Sequence, residues 1–259
     1  MSDFVVVIPA RYASSRFPGK PLAMLDGKPM IVHVAARAAR SGAKEVIVAT
    51  DHAGIAEVVE HHGYTAMMTR AEHATGTDRI AEVVMKRRYA DEQVVVNVQG
   101  DEPLIAPVAI RTVAKNLETH ASAQIATLCH PLHSGKDLAN PNIVKVALDE
   151  NGYALYFSRA PIPYPRDAML RSAQSVRLPA RFPGYRHVGL YAYRCGFLRC
   201  FTRLKPVSIE QFEALEQLRA LAHGYRISVA VTQAAPYPGI DTPGDLARLR
   251  RFLRTRQST

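Results

Sequence analysis

Phe4-Val5-Val6-Val7-Ile8-Pro9-Ala10-Arg11 opens on five consecutive apolar residues and breaks at a proline followed closely by a cation. An uninterrupted apolar run of this length is the pattern of a strand buried on both faces, as parallel strands are when helices cover the sheet. Outward from it the chain alternates. Pro29 at a helix start and Gly42 beyond its end bracket a helix with Ile31, Val34, Ala35 and Ala38 on one side. Val46–Ala49 reads as a strand, Ile55–His62 as a short helix ending at Gly63, and Tyr64–Thr69 as a strand. Thr77–Arg88 then reads as a helix and Val94–Val98 as a further buried strand. This alternation predicts an α/β fold with a mostly parallel sheet flanked by helices, and sites at the strand C-termini.

The second half changes style. Ile143–Leu148 and Tyr153–Phe157 flank Asp149-Glu150-Asn151-Gly152, a hairpin signal. The proline-rich stretch Pro161–Pro183 reads as an irregular loop and His187–Tyr193 as a strand. Ser208 with Gln211 makes a capping box, opening a helix whose buried stripe is Ile209, Phe212, Leu215 and Leu218. Ile227–Val231 is a strand, and Thr242, Pro243 and Asp245 begin a final helix. The expectation is one domain, 1–259, carrying an antiparallel insertion in its second half.

At 259 residues and 47% apolar composition, the chain has ample surface to bury a core. Phe4–Ile8 is too short for a signal sequence or a membrane span, and no later run is longer. Cys129, Cys195 and Cys200 are odd in number and form no C-x-x-C pair, which predicts buried thiols in a cytoplasmic protein. The net charge of +10 raises nucleic-acid binding as a rival. Its arginines are dispersed, however, and those from Arg248 to Arg256 sit where the helix macrodipole already favours cations. No helix-turn-helix, aromatic RNP-like run or Cys/His finger accompanies them, so no nucleic-acid partner and no membrane are expected.

The loop after the first strand holds Arg11, Arg16 and Lys20. A P-loop would need glycine at 14 and Ser or Thr at 21, where this chain has Ser14 and Pro21; no G-x-G occurs either. Three cations at a strand C-terminus suit a triphosphate, with guanidinium forks and a lysine point charge on its oxygens. The strand Val94–Val98 runs into Gln99-Gly100-Asp101-Glu102-Pro103, placing a carboxylate where Mg²⁺-nucleotide ligands belong. Asp101 alone would be read as capping a turn, and Asp241 alone as ornament of a helix N-terminus. Were the two to converge on one magnesium, they would give the metal its usual one or two protein oxygens.

The stretch Ile8-Pro-Ala-Arg-Tyr-Ala-Ser-Ser-Arg-Phe-Pro-Gly-Lys-Pro-Leu22 resembles the signature of the 3-deoxy-manno-octulosonate (KDO) cytidylyltransferases. The likeness extends through Gly27–Val34, Val48–Asp51, Thr75–Arg79, Val96–Pro103, Ala154–Ala160, Arg186–Tyr191, Leu215–Arg219 and Asp241-Thr-Pro. The first loop is shared with CMP-sialate synthetases and other sugar nucleotidyltransferases; the later blocks narrow the family. The chain departs from the pattern at Ala192, where glycine is expected, and in the loop 166–182.

The resemblance implies a nucleotidyltransferase-like fold and a homodimeric, cytoplasmic, Mg²⁺-dependent enzyme. It would transfer CMP from CTP to KDO for lipopolysaccharide assembly. A relative acting on an amino-substituted KDO or a sialic acid is the alternative. Residues 1–130 would mainly bind CTP, 131–240 would mainly bind the sugar and dimerise, and 241–259 would supply the metal-ligand Asp and the last helix. By position, Arg11, Lys20, Asp101 and Asp241 would be catalytic. Arg11, Arg16 and Lys20 would hold the phosphates, and Ala10, Arg70, Thr75, Gly76 and Gln99 would line the cytidine pocket. Asp101 and Asp241 would hold Mg²⁺. Gln99, His187, Tyr191, Glu216 and Gln217 would contact the sugar, and Arg159 and Arg166 would meet its carboxylate.

Overall fold

In the computed structural model, which describes residues 3–13, 16–166, 178–179, 181–233 and 237–257, strand β1 (Phe4–Ala10) lies well inside a nine-stranded sheet. Its apolar run explains the position: Val5, Val6, Val7 and Ile8 are almost wholly buried, each contributing about 1.5–3 kcal/mol by transfer from water. Phe4, Val6 and Ile8 face one core with Ile31, Ile55 and Ile110. Val5 and Val7 face the other with Ile80, Val84 and Phe197. The period of two along the strand thus divides the molecule into two helical layers around one sheet.

β4 (Glu45–Thr50) and β6 (Val94–Asn97) flank β1, both parallel to it, and β5 (Thr65–Met68) extends the parallel set beyond β4. On the other side of β6 lies β10 (Tyr185–Arg194), antiparallel both to β6 and to β7 (Ala123–Pro131). β11 (Arg226–Val231) closes the order β11-β7-β10-β6-β1-β4-β5. The expected hairpin is β8 (Lys145–Leu148) with β9 (Ala154–Ser158), attached to β10 through β8. Asp149 makes its turn by accepting from the amides of Asn151 and Tyr153, and Gly152 takes φ 78°. A separate two-stranded ribbon, β2 (Met24–Leu25) and β3 (Lys28–Pro29), follows the first loop.

The helices are α1 (Met30–Ala39), α2 (Ala53–His61), α3 (Gly76–Arg87), α4 (Pro107–Thr119), α5 (Gly135–Ala139), α6 (Cys195–Phe201), α7 (Ser208–Glu213), α8 (Gln217–Ala222) and α9 (Pro243–Gln257). None among the described residues is long and apolar enough to cross a membrane. α9 packs Leu246 and Leu249 against Ile240, Leu25 and Met30, with Phe17 and Leu104 at the margin of this third cluster.

Four expectations need correction. The stretch 208–222 is two short helices, because Ala214 adopts a left-handed conformation (φ 50°) between them. Its stripe does not bury as periodicity predicts: Leu215 and Leu218 are buried, but Ile209 is 40% and Phe212 91% exposed. The start of α7 rests on Glu210 accepting from the Val207 amide, not on Ser208 with Gln211. Cys129 and Cys195 are buried as expected, whereas Cys200 is exposed. The loop 166–182 lies mostly outside the described residues, as do Ser14 and Ser15.

Candidate active site

β1 and β6 run side by side and end at the same edge, where the chain comes unusually close to itself. A Cβ at Gly100 would lie 2.9 Å from the Pro9 carbonyl oxygen, so only glycine allows the strand ends to approach this way. A Cβ at Gly76 would meet the Pro9 ring at 3.3 Å. Three segments therefore converge on Pro9: the first loop, the β6 end and the start of α3. Between them opens a cleft of about 360 Å³.

The N-terminus of α3 is fixed by a capping box. Thr75 Oγ1 accepts from the Asp78 amide, and the Asp78 carboxylate accepts from the Thr75 amide. This aims the positive end of α3 at the cleft, where anions are favoured. Ala10, Arg11, Arg16, Lys20, Thr75, Gly76 and Gln99 all line the cleft. Arg70 is not on its wall; its exposed guanidinium lies 3.7 Å from Glu82.

Asp101 and Asp241 meet at the same place. Lys20 Nζ donates to Asp101 Oδ2 at 2.6 Å and lies 3.6 Å from Asp241 Oδ1, while Arg16 donates to Asp241 at 3.0 Å. The Ile240 amide bonds the Asp101 carbonyl at 2.9 Å, stitching the two segments together. Asp241 is not the cap of α9. That work falls to Thr242 and Asp245: Asp245 accepts from the amides of Asp241 and Thr242, and Thr242 Oγ1 accepts from the Asp245 amide. The Asp241 carboxylate is thereby left for the cleft. Two hard oxygen donors facing a phosphate-sized, cation-lined space fit Mg²⁺, which takes one or two carboxylates and completes its shell from phosphate and water. Among the described residues no cluster of three His, Cys, Asp or Glu side chains is placed to hold a metal. Behind Asp101, Glu102 is pushed up to about 8 by burial and by the neighbouring Asp101 charge.

His73 and Arg79 also line the cleft, and sequence reasoning missed both. Arg79 sits in the first turn of α3, four residues after Thr75, so helical spacing would have signalled it. It donates to Asp51 at 2.7 Å and to the Thr69 hydroxyl and Arg70 carbonyl. His73 leans on the Glu82 carboxylate. Burial is the largest influence on Glu82 and pushes it up, but Lys86, His73 and the Arg70 amide outweigh it and hold the group at about 2.

The residues expected at the sugar lie behind Gly76. Thr77 Oγ1 donates to Glu216 Oε2 at 2.6 Å, so α3 joins the nucleotide cleft to a second cluster. There Tyr191, Glu216 and Gln217 line a cavity of about 40 Å³ beside Ile125 and Tyr193. The His187 and Tyr191 rings are 5.3 Å apart on the same side of β10. A bulge between Val188 and Tyr191 leaves two residues unpaired, which preserves the parity that brings them together. His187 Nε2 lies 3.0 Å from Thr127 Oγ1. Burial lowers His187 to about 3, raises Tyr191 well above its ordinary value and raises Glu216. His187 and Tyr191 are therefore neutral hydrogen-bonding groups in this cluster. Arg159 lies apart from it and spans the carbonyls of Glu213, Pro141 and Ala214. Arg166 is exposed at the edge of the described residues.

The cytidylyltransferase family model matches residues 5–227. The chain belongs to the cytidylyltransferase family. Among solved structures, it is 42% identical to CMP:2-keto-3-deoxy-manno-octonic acid synthetase complexed with CTP, with a TM-score of 0.88. That match covers 98% of this chain and 100% of the other. A cytidylyltransferase from Leptospira borgpetersenii serovar Hardjo-bovis (strain JB197) superposes with a TM-score of 0.60 at 14% identity, over 98% of this chain and 87% of that one. At that identity it speaks for the fold alone. The antiparallel β10 within the parallel sheet, and the cleft at the β1–β6 edge, are thus features of a cytidylyltransferase.

Proposed function

We propose that this cytidylyltransferase transfers CMP from CTP to 3-deoxy-D-manno-octulosonate, giving CMP-KDO and pyrophosphate for lipopolysaccharide assembly. The observation that carries the reading is the full-length relation to a CTP-bound synthetase for that sugar acid. The anomeric hydroxyl oxygen of the sugar bonds to the α-phosphorus as the bond to pyrophosphate breaks. Little covalent chemistry falls to the protein; positioning and charge stabilisation dominate. Arg11, Arg16 and Lys20 bind the phosphates and offset charge on the departing pyrophosphate. Ala10, Thr75, Gly76 and Gln99 hold the nucleoside, with Arg70 at the rim. Asp101 and Asp241 hold Mg²⁺, which when bound neutralises phosphate charge and polarises the reacting phosphorus.

Residues 1–130 form the CTP half and 131–240 the sugar half, within one domain. The cluster of His187, Tyr191, Glu216 and Gln217 supports that division, and Gln99 would serve both nucleotide and sugar. Arg159 and Arg166 are the candidates for the sugar's carboxylate, and Arg159 already spans the carbonyls of Glu213, Pro141 and Ala214. The enzyme is cytoplasmic and acts as a homodimer. Dimerisation is supported by exposed apolar side chains on the sugar half, Phe212 at 91% and Leu155, on strand β9, at 63%. The deciding experiment is a pyrophosphate-release panel of four nucleoside triphosphates against KDO, an amino-substituted KDO and a sialic acid. Turnover confined to CTP with KDO is expected; preference for another acid would transfer the assignment to that sugar.

A further inference from the structure

The Tyr12 ring stacks on the His52 ring, with centroids 4.2 Å apart and planes 12° from parallel. Tyr12 follows Arg11 in the phosphate loop, and His52 follows β4, the strand on the opposite side of β1 from β6. The contact therefore anchors the loop to a neighbouring strand end.

Tyr12 also reaches the far end of the loop. Its carbonyl accepts from the Gly19 amide at 3.1 Å. A Cβ at Gly19 would lie 3.4 Å from the Tyr12 ring, and Gly19 takes φ 67° immediately before Lys20. One aromatic side chain thus touches or adjoins the backbone that carries Arg11 and the backbone that carries Lys20. On the other face, His52 is packed rather than hydrogen-bonded: its Nδ1 is buried without a partner among the described residues. The first turn of α2 makes room for it, since a Cβ at Gly54 would approach the imidazole at 3.2 Å. A buried nitrogen left unpaired costs folding free energy, so hydrogen bonding does not account for an imidazole here. Adjacent Asp51 bonds Arg79 on the opposite cleft wall at 2.7 Å. Asp51-His52 consequently holds both walls, the α3 wall by an ion pair and the phosphate loop by a stack.

We propose that Tyr12 and His52 are positioning residues that latch the phosphate loop in its triphosphate-ready form, so that Arg11 and Lys20 are placed before the ligand arrives. The inference rests on the cytidylyl-transfer reading of the cleft. Pre-ordering lowers the entropy lost on binding, and an aromatic pair is worth about two- to tenfold in an equilibrium constant.

The test combines CTP calorimetry with amide exchange at Gly19 in the ligand-free protein. Tyr12 is 41% exposed, so Tyr12→Ala should fold, as a cooperative melt would verify. Tyr12→Ala and His52→Ala should each weaken CTP binding about three- to tenfold and speed Gly19 exchange by a similar factor. The double variant should be no weaker than the worse single one, and Tyr12→Phe should bind like the wild type. Retained CTP affinity in Tyr12→Leu, multiplied losses in the double variant, or unchanged Gly19 exchange would each overturn the latch. Failure of the wild type to bind CTP would overturn the cytidylyl-transfer reading instead, while Gly19 exchange would still decide whether the stack orders the loop.

Discussion

Lys20 Nζ lies 2.6 Å from Asp101 Oδ2 and 3.6 Å from Asp241 Oδ1, a single cation between two carboxylates far apart in the sequence. The geometry is that of a short, charge-assisted contact. It keeps the acidic pair together, and in the proposed reaction Lys20 would be the group that exchanges carboxylate for phosphate as CTP binds.

The metal reading follows from that pair. Asp101→Asn and Asp241→Asn should each lower turnover about a hundredfold, the scale of about 3 kcal/mol of lost electrostatic stabilisation, while melting near the wild type. EDTA should abolish pyrophosphate release and Mg²⁺ restore it. Full activity in EDTA would remove the metal from the mechanism.

The loop cations should act on phosphate and not on the base. Lys20→Ala and Arg11→Ala should reduce kcat/KM for CTP while leaving cytidine affinity near the wild type, and Arg11→Ala should change Tm little because an exposed loop charge contributes little to folding. Loss of cytidine affinity with triphosphate preference intact would show the loop to be misassigned.

Acceptor recognition should separate cleanly. His187→Ala and Gln217→Ala should raise the KM for KDO or lower kcat with CTP affinity nearly unchanged, because a buried site built for hydroxyls leaves polar groups unpaired when one is removed. The methyl ester of KDO should be a poor substrate. An ester that turns over like the free acid would mean that no arginine reads the carboxylate.

His187 also makes a pH prediction. Its folded value of about 3 lies below the ordinary imidazole value of 6.5, so between these the unfolded chain binds a proton that the folded one does not. Stability from this group is complete above about pH 6.5 and declines as pH falls towards 3. His187→Gln should flatten the fall in Tm over that window; an unchanged slope would mean that His187 is protonated in the fold.

For the dimer, Phe212→Glu should shift the mass seen by analytical ultracentrifugation from two chains to one without unfolding the protein. An unchanged mass would place the interface elsewhere.

Much of this architecture was legible before the structure. Phe4–Ile8 announced a doubly buried strand because apolar residues at successive positions can be satisfied only by cover on both faces. That Gly76 and Gly100 both approach Pro9 closely is visible only in the structure. Strand β7 was not legible, because Gln124, Thr127 and His130 interrupt its apolar pattern while Thr127 and its neighbours serve β10 and β11 on either side. The break at Ala214 was hidden for the opposite reason: alanine is the best helix former, and its left-handed φ is imposed by tertiary packing against local propensity. The convergence of Asp101 and Asp241 came from family resemblance, since no local pattern spans the separation between them. Arg79 and His73 escaped because each also has an ordinary structural partner.

The bond from the Ile240 amide to the Asp101 carbonyl, with α9 packed across the first loop, bears on how the protein is made. At about 5–20 residues per second, Asp241 is synthesised roughly 7 to 28 seconds after Asp101. The parallel strands that shape the cleft are all translated well before the residue that completes it. A nascent chain, or one cut short by a premature stop before Asp241, would carry a cation-lined pocket with half of its acidic pair. With Asp241 in its proposed role, such a chain would hold a nucleotide without processing it until the segment leading into the last helix had been made.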